Sequence, residues 1–222
     1  MIVRRLAVLF VAGAVVVILV LVAPTRTGRT DAFLVPSESG LAHLDLRQRI
    51  VAIAESQVGY RTDPSNSYCN KYSSFWKAGT PDCPGGNYRE EWCADFAAWV
   101  WRTAGALVTY QLVSGDLDSS AASFYEWGVA HSTWHAANTG YRPRPGDVAV
   151  YGLNIYTLYA THVSVVISFS AGAAGPNVVN GDGDRTGFSA VERHADQYRS
   201  DPKKPGGILS GYVSPLPNQR SI

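Results

Sequence analysis

Several kinds of feature are missing from this 222-residue chain. Lys and Arg number 19 against 18 for Asp and Glu, and no basic run breaks that balance. A formal charge of +1 without a positive cluster argues against nucleic acid as the main partner. Internal repeats and long low-complexity tracts are also absent, which leaves one globular domain as the expectation. The commonest zinc-hydrolase motif fails as well. His131 and His135 stand four apart, but no glutamate follows His131, and Ser132 and Thr133 are poor helix formers. Methionine occurs only at position 1, whereas aromatic residues are plentiful.

A single long hydrophobic run is present, at the N-terminus. Arg4 and Arg5 precede an uncharged apolar stretch from Leu6 to Ala23, closed by Pro24, Thr25 and Arg26. Its length suits either the core of a signal peptide or a short transmembrane helix. Leu21 and Val22 stand just before Ala23, so a cleavage site with small residues at both key positions is hard to place. The favoured reading is an uncleaved anchor over residues 1–27, with its basic side cytoplasmic and the rest outside. Cleavage and secretion form the alternative. Residues 28–44 are mixed and poorly periodic, and read as a linker. Residues 45–215 form the domain, and 216–222 a C-terminal tail.

Export changes the meaning of the three cysteines, an odd count that leaves one thiol over after a single disulfide. Cys69 and Cys83 bracket a segment rich in Pro, Gly and Asn, which suits a bridged surface loop outside the cell. Cys93 is then the free thiol. It lies in the first turn of the helical stretch Glu91-Trp92-Cys93-Ala94-Asp95-Phe96-Ala97-Ala98-Trp99-Val100-Trp101, where Cys93, Phe96, Ala97, Val100 and Ala104 share one apolar face and Gly105 is a stop. A helix start offers unpaired N–H groups and the positive end of the helix dipole, and both favour thiolate. A lone thiol in an oxidising compartment is a liability unless it is used.

Elsewhere, Asp45 reads as the N-cap of a first helix with Leu46, Ile50, Ile53 and Ala54 inward and Gly59 as its end. Residues 70–76 read as a short helix, and 119–130 as another with Ala122, Phe124, Tyr125 and Val129 as its apolar residues. After Gly140 the period changes to that of strands. Pro145-Gly146-Asp147 turns into Val148–Tyr151, His162–Phe169 is the strongest strand, and Asn177–Asn180 follows before Gly181 and Gly183. Weaker strands are expected near Val191 and over Ile208–Val213. Helices followed by an antiparallel run of strands is an α+β order.

A nucleophilic cysteine needs a base, and the base needs a polar group to hold its tautomer. His43, in the linker, and His194, beside Glu192, Arg193 and Asp196, read as solvated. His162 begins the best strand, and Asn180-Gly181-Asp182 ends the next. The order Cys, His, Asn or Asp is that of papain-like cysteine hydrolases. Trp92-Cys93-Ala94-Asp95-Phe96 with Trp99, Pro145-Gly146-Asp147-Val148, His162-Val163-Ser164-Val165-Val166, Val179-Asn180-Gly181-Asp182 and Gly211-Tyr212-Val213-Ser214-Pro215 together resemble a CHAP domain. The resemblance covers about Asp45 to Pro215. It implies an α+β, papain-like fold related to the NlpC/P60 group, with N-terminal helices packed on an antiparallel sheet.

The resemblance further implies a cysteine- and histidine-dependent amidohydrolase or peptidase. Cys93 would be the nucleophile and His162 the general base. Many members carry Glu-x-Asn where this chain has Asn180 and Asp182; Asn180 takes the place of the group that orients the histidine, with Asp182 kept beside it. Some members bind calcium through acidic residues before the cysteine. Asp82, Glu90 and Glu91 do not reproduce that spacing, so no metal or other cofactor is expected. Trp92, Trp76 and Tyr151 are candidates to line a substrate groove. The implied substrate is peptidoglycan, cut at the N-acetylmuramoyl–L-alanine bond or within the stem or cross-bridge peptides. The implied setting is the cell membrane with the domain outside, or the wall if the leader is cleaved. A protein activator is possible. Two rivals stay open: a catalytically silent, membrane-tethered wall-binding domain, and a cysteine peptidase acting on exported proteins.

Overall fold

The computed structural model describes residues 34–170, 173, 175–183, 189–195 and 208–218. The expected anchor over 1–27 lies outside them. Among the described residues no helix is long and apolar enough to cross a membrane.

Helix α1 (Glu38–Leu41) falls within the expected linker, and Leu41 buries against the core. Helix α2 (Leu46–Ser56) starts on a reciprocal cap: the Asp45 carboxylate accepts from Gln48 N, and the Gln48 side chain accepts from Asp45 N. Ile50, Ile53 and Ala54 form its inner face, as their spacing predicts. Next come β1 (Cys69–Asn70), α3 (Lys71–Trp76) and β2 (Tyr88–Arg89), which pairs with β1. Cys69 and Cys83 form a disulfide across this hairpin, with Cα atoms 5.7 Å apart.

Helix α4 (Cys93–Ala104) is the centre of the domain and ends on Gly105 in the left-handed region. One apolar face is expected from its sequence, yet every residue from Ala94 to Trp101 is buried. Such a helix is wrapped on all sides. Tyr72 from α3 packs on one side against Trp92, Phe96 and Trp99, while the sheet covers another.

The helix expected over 119–130 is shorter, α5 (Ser123–Ala130), and Val129 faces solvent while Trp127 takes the core position. Six strands then make one antiparallel sheet: β3 (Trp134–Ala136), β4 (Val148–Tyr151), β5 (His162–Ser168), β6 (Asn177–Gly183), β7 (Ala190–Ala195) and β8 (Leu209–Val213). Their order is β3-β8-β4-β5-β6-β7. Val150, Val163, Val165, Ile167, Val179 and Val191 face the helices, and Ala149, Tyr151, Val166, Val178 and Tyr212 form a second cluster on the opposite face. Strand β3 is not foreseen from sequence. The expected tail is partly docked, since Leu216 O accepts from Leu107 N and Asn218 N donates to Gly105 O.

Helix and sheet are fastened at the turn before β4. Asp147 is fully buried, accepts from Arg47 on α2 at 2.7 Å, and accepts from Tyr141 and Ser214 hydroxyls. Gly146 leaves room for Arg47, whose Cα would lie 3.3 Å from an added Cβ, and Gly146 O accepts from Trp101 Nε1. The Pro-Gly-Asp segment is thus a structural clasp.

Candidate active site

Cys93 keeps a free, half-buried thiol at the first turn of α4. The backbone N–H of Val163, the residue that follows His162 in β5, points to its sulfur. Burial pushes the thiol up to about 12; the Val163 and Ala94 N–H groups pull it down, while Asp182 and Asp95 push it further up. The preference for thiolate expected at a helix start is therefore overturned by desolvation. The proton stays on sulfur at neutral pH, and a nucleophile here needs a base.

His162 Nε2 donates to Asn180 Oδ1 at 2.9 Å. Asn180 is 1 % exposed, and its Oδ1 also accepts from the buried Ser164 hydroxyl. Asp182 bonds elsewhere: its carboxylate accepts from Trp92 N at 3.2 Å and from Ser189 Oγ. It caps the entry to α4, where no side chain of the helix itself does so. Between the two, Gly181 lets α4 lie directly on β6, since a Cβ there would stand 2.4 Å from Phe96 Cβ. Strand and helix are thus pressed together at the level of Cys93.

Asp95 is buried under this site. Its carboxylate accepts from Ser73 and Tyr110 hydroxyls, and burial raises it to about 6 despite those bonds. Trp76 stacks on Tyr110 at 4.1 Å and donates to Asp95 O; it stays half-exposed. Trp92 and Tyr151, by contrast, are fully buried and present no surface to a ligand. Trp92 stacks on Tyr72 and donates to Ser189, and Tyr151 lies in the cluster behind the sheet. Their expected place in a groove is not met, because both are needed for packing. His131 closes α5 while His135 lies in β3, so the pair does not share a helix face. Among the described residues no group of three His, Cys, Asp or Glu side chains is placed to hold a metal ion.

A family model described as CHAP domain matches residues 84–182. Over those residues the chain matches the CHAP domain family. The matched stretch contains Cys93, His162, Asn180 and Asp182, and at family level CHAP domains are amidase- or peptidase-type hydrolases acting on peptidoglycan. No curated protein and no solved structure gives a significant match. Two residues of the site escape the sequence reading. Ser164 shares a strand face with His162 at spacing two, a signal that alternation carries. His194, read as solvated, instead bonds Asn180 from β7, and no local pattern announces that contact.

Proposed function

We propose that this chain is an exported cysteine hydrolase that cleaves an amide bond of peptidoglycan. The observation that carries the reading is the bond from His162 Nε2 to Asn180, with the Cys93 sulfur held on the adjacent Val163 N–H. With its proton on Nε2, the His162 lone pair is on Nδ1, where it can receive the thiol proton. The thiolate attacks the amide carbonyl, and backbone N–H groups at the start of α4 stabilise the oxyanion. His162 then passes the proton to the leaving amine. A thioester remains, and water hydrolyses it with His162 again as base. Asn180 orients the imidazole without adding charge, Asp182 fixes the helix start, and Trp76 offers an aromatic surface to substrate.

Residues 1–27 supply the export or anchoring signal, and a loop disulfide suits an oxidising compartment. A silent wall-binding domain has no use for a free thiol at a helix start together with a histidine bonded to a buried asparagine. The test is to incubate the protein and its Cys93→Ala variant with purified peptidoglycan and analyse the released fragments by mass spectrometry. Fragments from the wild type alone support the reading, and their new termini separate an amidase from an endopeptidase. Equal silence, with both proteins still sedimenting with the wall, makes the binding-domain reading the better one.

A further inference from the structure

Asn180 is shared between two histidines. On one side its Oδ1 accepts from His162 Nε2; on the other its Nδ2 meets His194 Nε2 at 2.5 Å. His194 lies in β7, outside the stretch that matches the family, opposite Val178 and on the strand face that carries Asn180. Its second ring nitrogen, Nδ1, is 2.8 Å from Ala195 O. A carbonyl only accepts, so Nδ1 carries the proton and Nε2 of the neutral ring accepts from the Asn180 amide. That acceptance fixes which end of the amide faces His162. The Ser164 hydroxyl, able to donate or accept, adapts to either orientation and decides nothing.

We infer that His194 is a positioning residue that sets the tautomer of His162 through Asn180, and that its protonation in acid turns the site off. The inference rests on His162 being the general base. When His194 gains a proton, both its nitrogens become donors, and Asn180 must turn its oxygen towards β7. The NH2 group then faces His162 Nε2, which has to accept. The proton of a neutral His162 moves to Nδ1 by exchange with solvent, and the lone pair that takes the Cys93 proton is lost. One proton taken up at β7 thus disables the base without touching it.

The charges around His194 bear on where this happens. Glu192 stands two residues earlier on the same strand face, opposite Asn180. Arg61 and Arg193 line a cavity of about 450 Å³ with His194 and Glu192, and Arg193 is paired with Glu55 on α2 at 3.0 Å. Asp182 lies further along β6 and His162 beyond Asn180 on β5.

Long-range nitrogen–proton NMR of histidine-labelled protein reads the tautomers directly and needs no substrate. Near neutral pH the expected spectrum has His194 protonated on Nδ1 and His162 on Nε2. On acidification the Nε2 proton of His162 is lost as His194 becomes doubly protonated, with one shared midpoint. His194→Leu lowers kcat on the order of 10–100-fold with KM held, because the amide loses its orientation. His194→Gln, whose oxygen accepts but does not titrate, restores kcat towards wild type, and the acid limb of its pH profile falls from second order in protons to first. A His194 protonated on Nε2 at neutral pH overturns the inference, as does an acid limb unchanged in His194→Gln. If the tautomers behave as described and peptidoglycan is untouched, the positioning stands and the hydrolase reading is what fails.

Discussion

Replacing Gly181 by alanine puts a methyl group between β6 and α4 where there is no space. The new Cβ would lie 2.4 Å from Phe96 Cβ and 2.7 Å from its Cγ. Ordinary contact begins at 3.4 Å, so the helix and strand must part by about 1 Å. The obstacle is the root of a side chain rather than its flexible end, and rotating Phe96 does not relieve it. Overpacking of this kind costs about 1–3 kcal/mol. Displacement matters more for function, because Cys93 is one helical turn before Phe96 while His162 is tied to β6 through Asn180. A misplacement of about 1 Å costs on the order of 100-fold in rate. Fragment release from peptidoglycan and a thermal melt, run on Gly181→Ala, should therefore show a large loss of activity with a modest loss of stability. Phe96→Ala keeps its own Cβ and should not rescue it, whereas Phe96→Gly should recover part of the rate. Wild-type activity and melting temperature in Gly181→Ala would refute the close-packing argument.

Asp147→Ala strips the partner from Arg47 and leaves two hydroxyls without their acceptor; breaking a buried pair in this way costs about 3–5 kcal/mol, read by chemical denaturation. An unchanged denaturation midpoint would remove Asp147 from the clasp. Asp95 gives a pH signature. Its carboxyl is raised from 3.8 to about 6 in the fold, so the native state holds a proton that the unfolded chain has released. Its contribution to stability is fully present below about 3.8 and is lost as pH rises through about 6. Melting temperatures of wild type should therefore fall relative to Asp95→Asn over that window; parallel curves would contradict the burial argument.

Elements with a long period were legible in the sequence. Helix α2 announces itself through the Asp45 cap and the Ile50, Ile53, Ala54 spacing, and β5 through its β-branched run. Strand β3 did not, because three residues without alternation become a strand only by pairing with β8. The all-round burial of α4 also escaped, since Asp95 breaks the apolar pattern and is accommodated only by hydroxyls arriving from Ser73 and Tyr110. In the site, chain order and the family resemblance single out Cys93, His162 and Asn180 as candidates. The division of labour between Asn180 and Asp182 needed the bulge in β6 and the packing of Trp92. His194 lay out of reach because strand register, not sequence, carries it to Asn180.

The central claim is that His162 takes the proton of a thiol too buried to lose it alone. Because Cys69 and Cys83 are paired, Cys93 is the one thiol that iodoacetamide can modify in the folded protein, and intact mass counts a single adduct. The rate of that alkylation, followed against pH in wild type and in His162→Ala, tests the claim most directly. The account predicts reaction near neutral pH in wild type, and in the variant a rate that climbs only as pH approaches about 12. Two superimposed pH–rate curves would contradict it and leave Cys93 without its base.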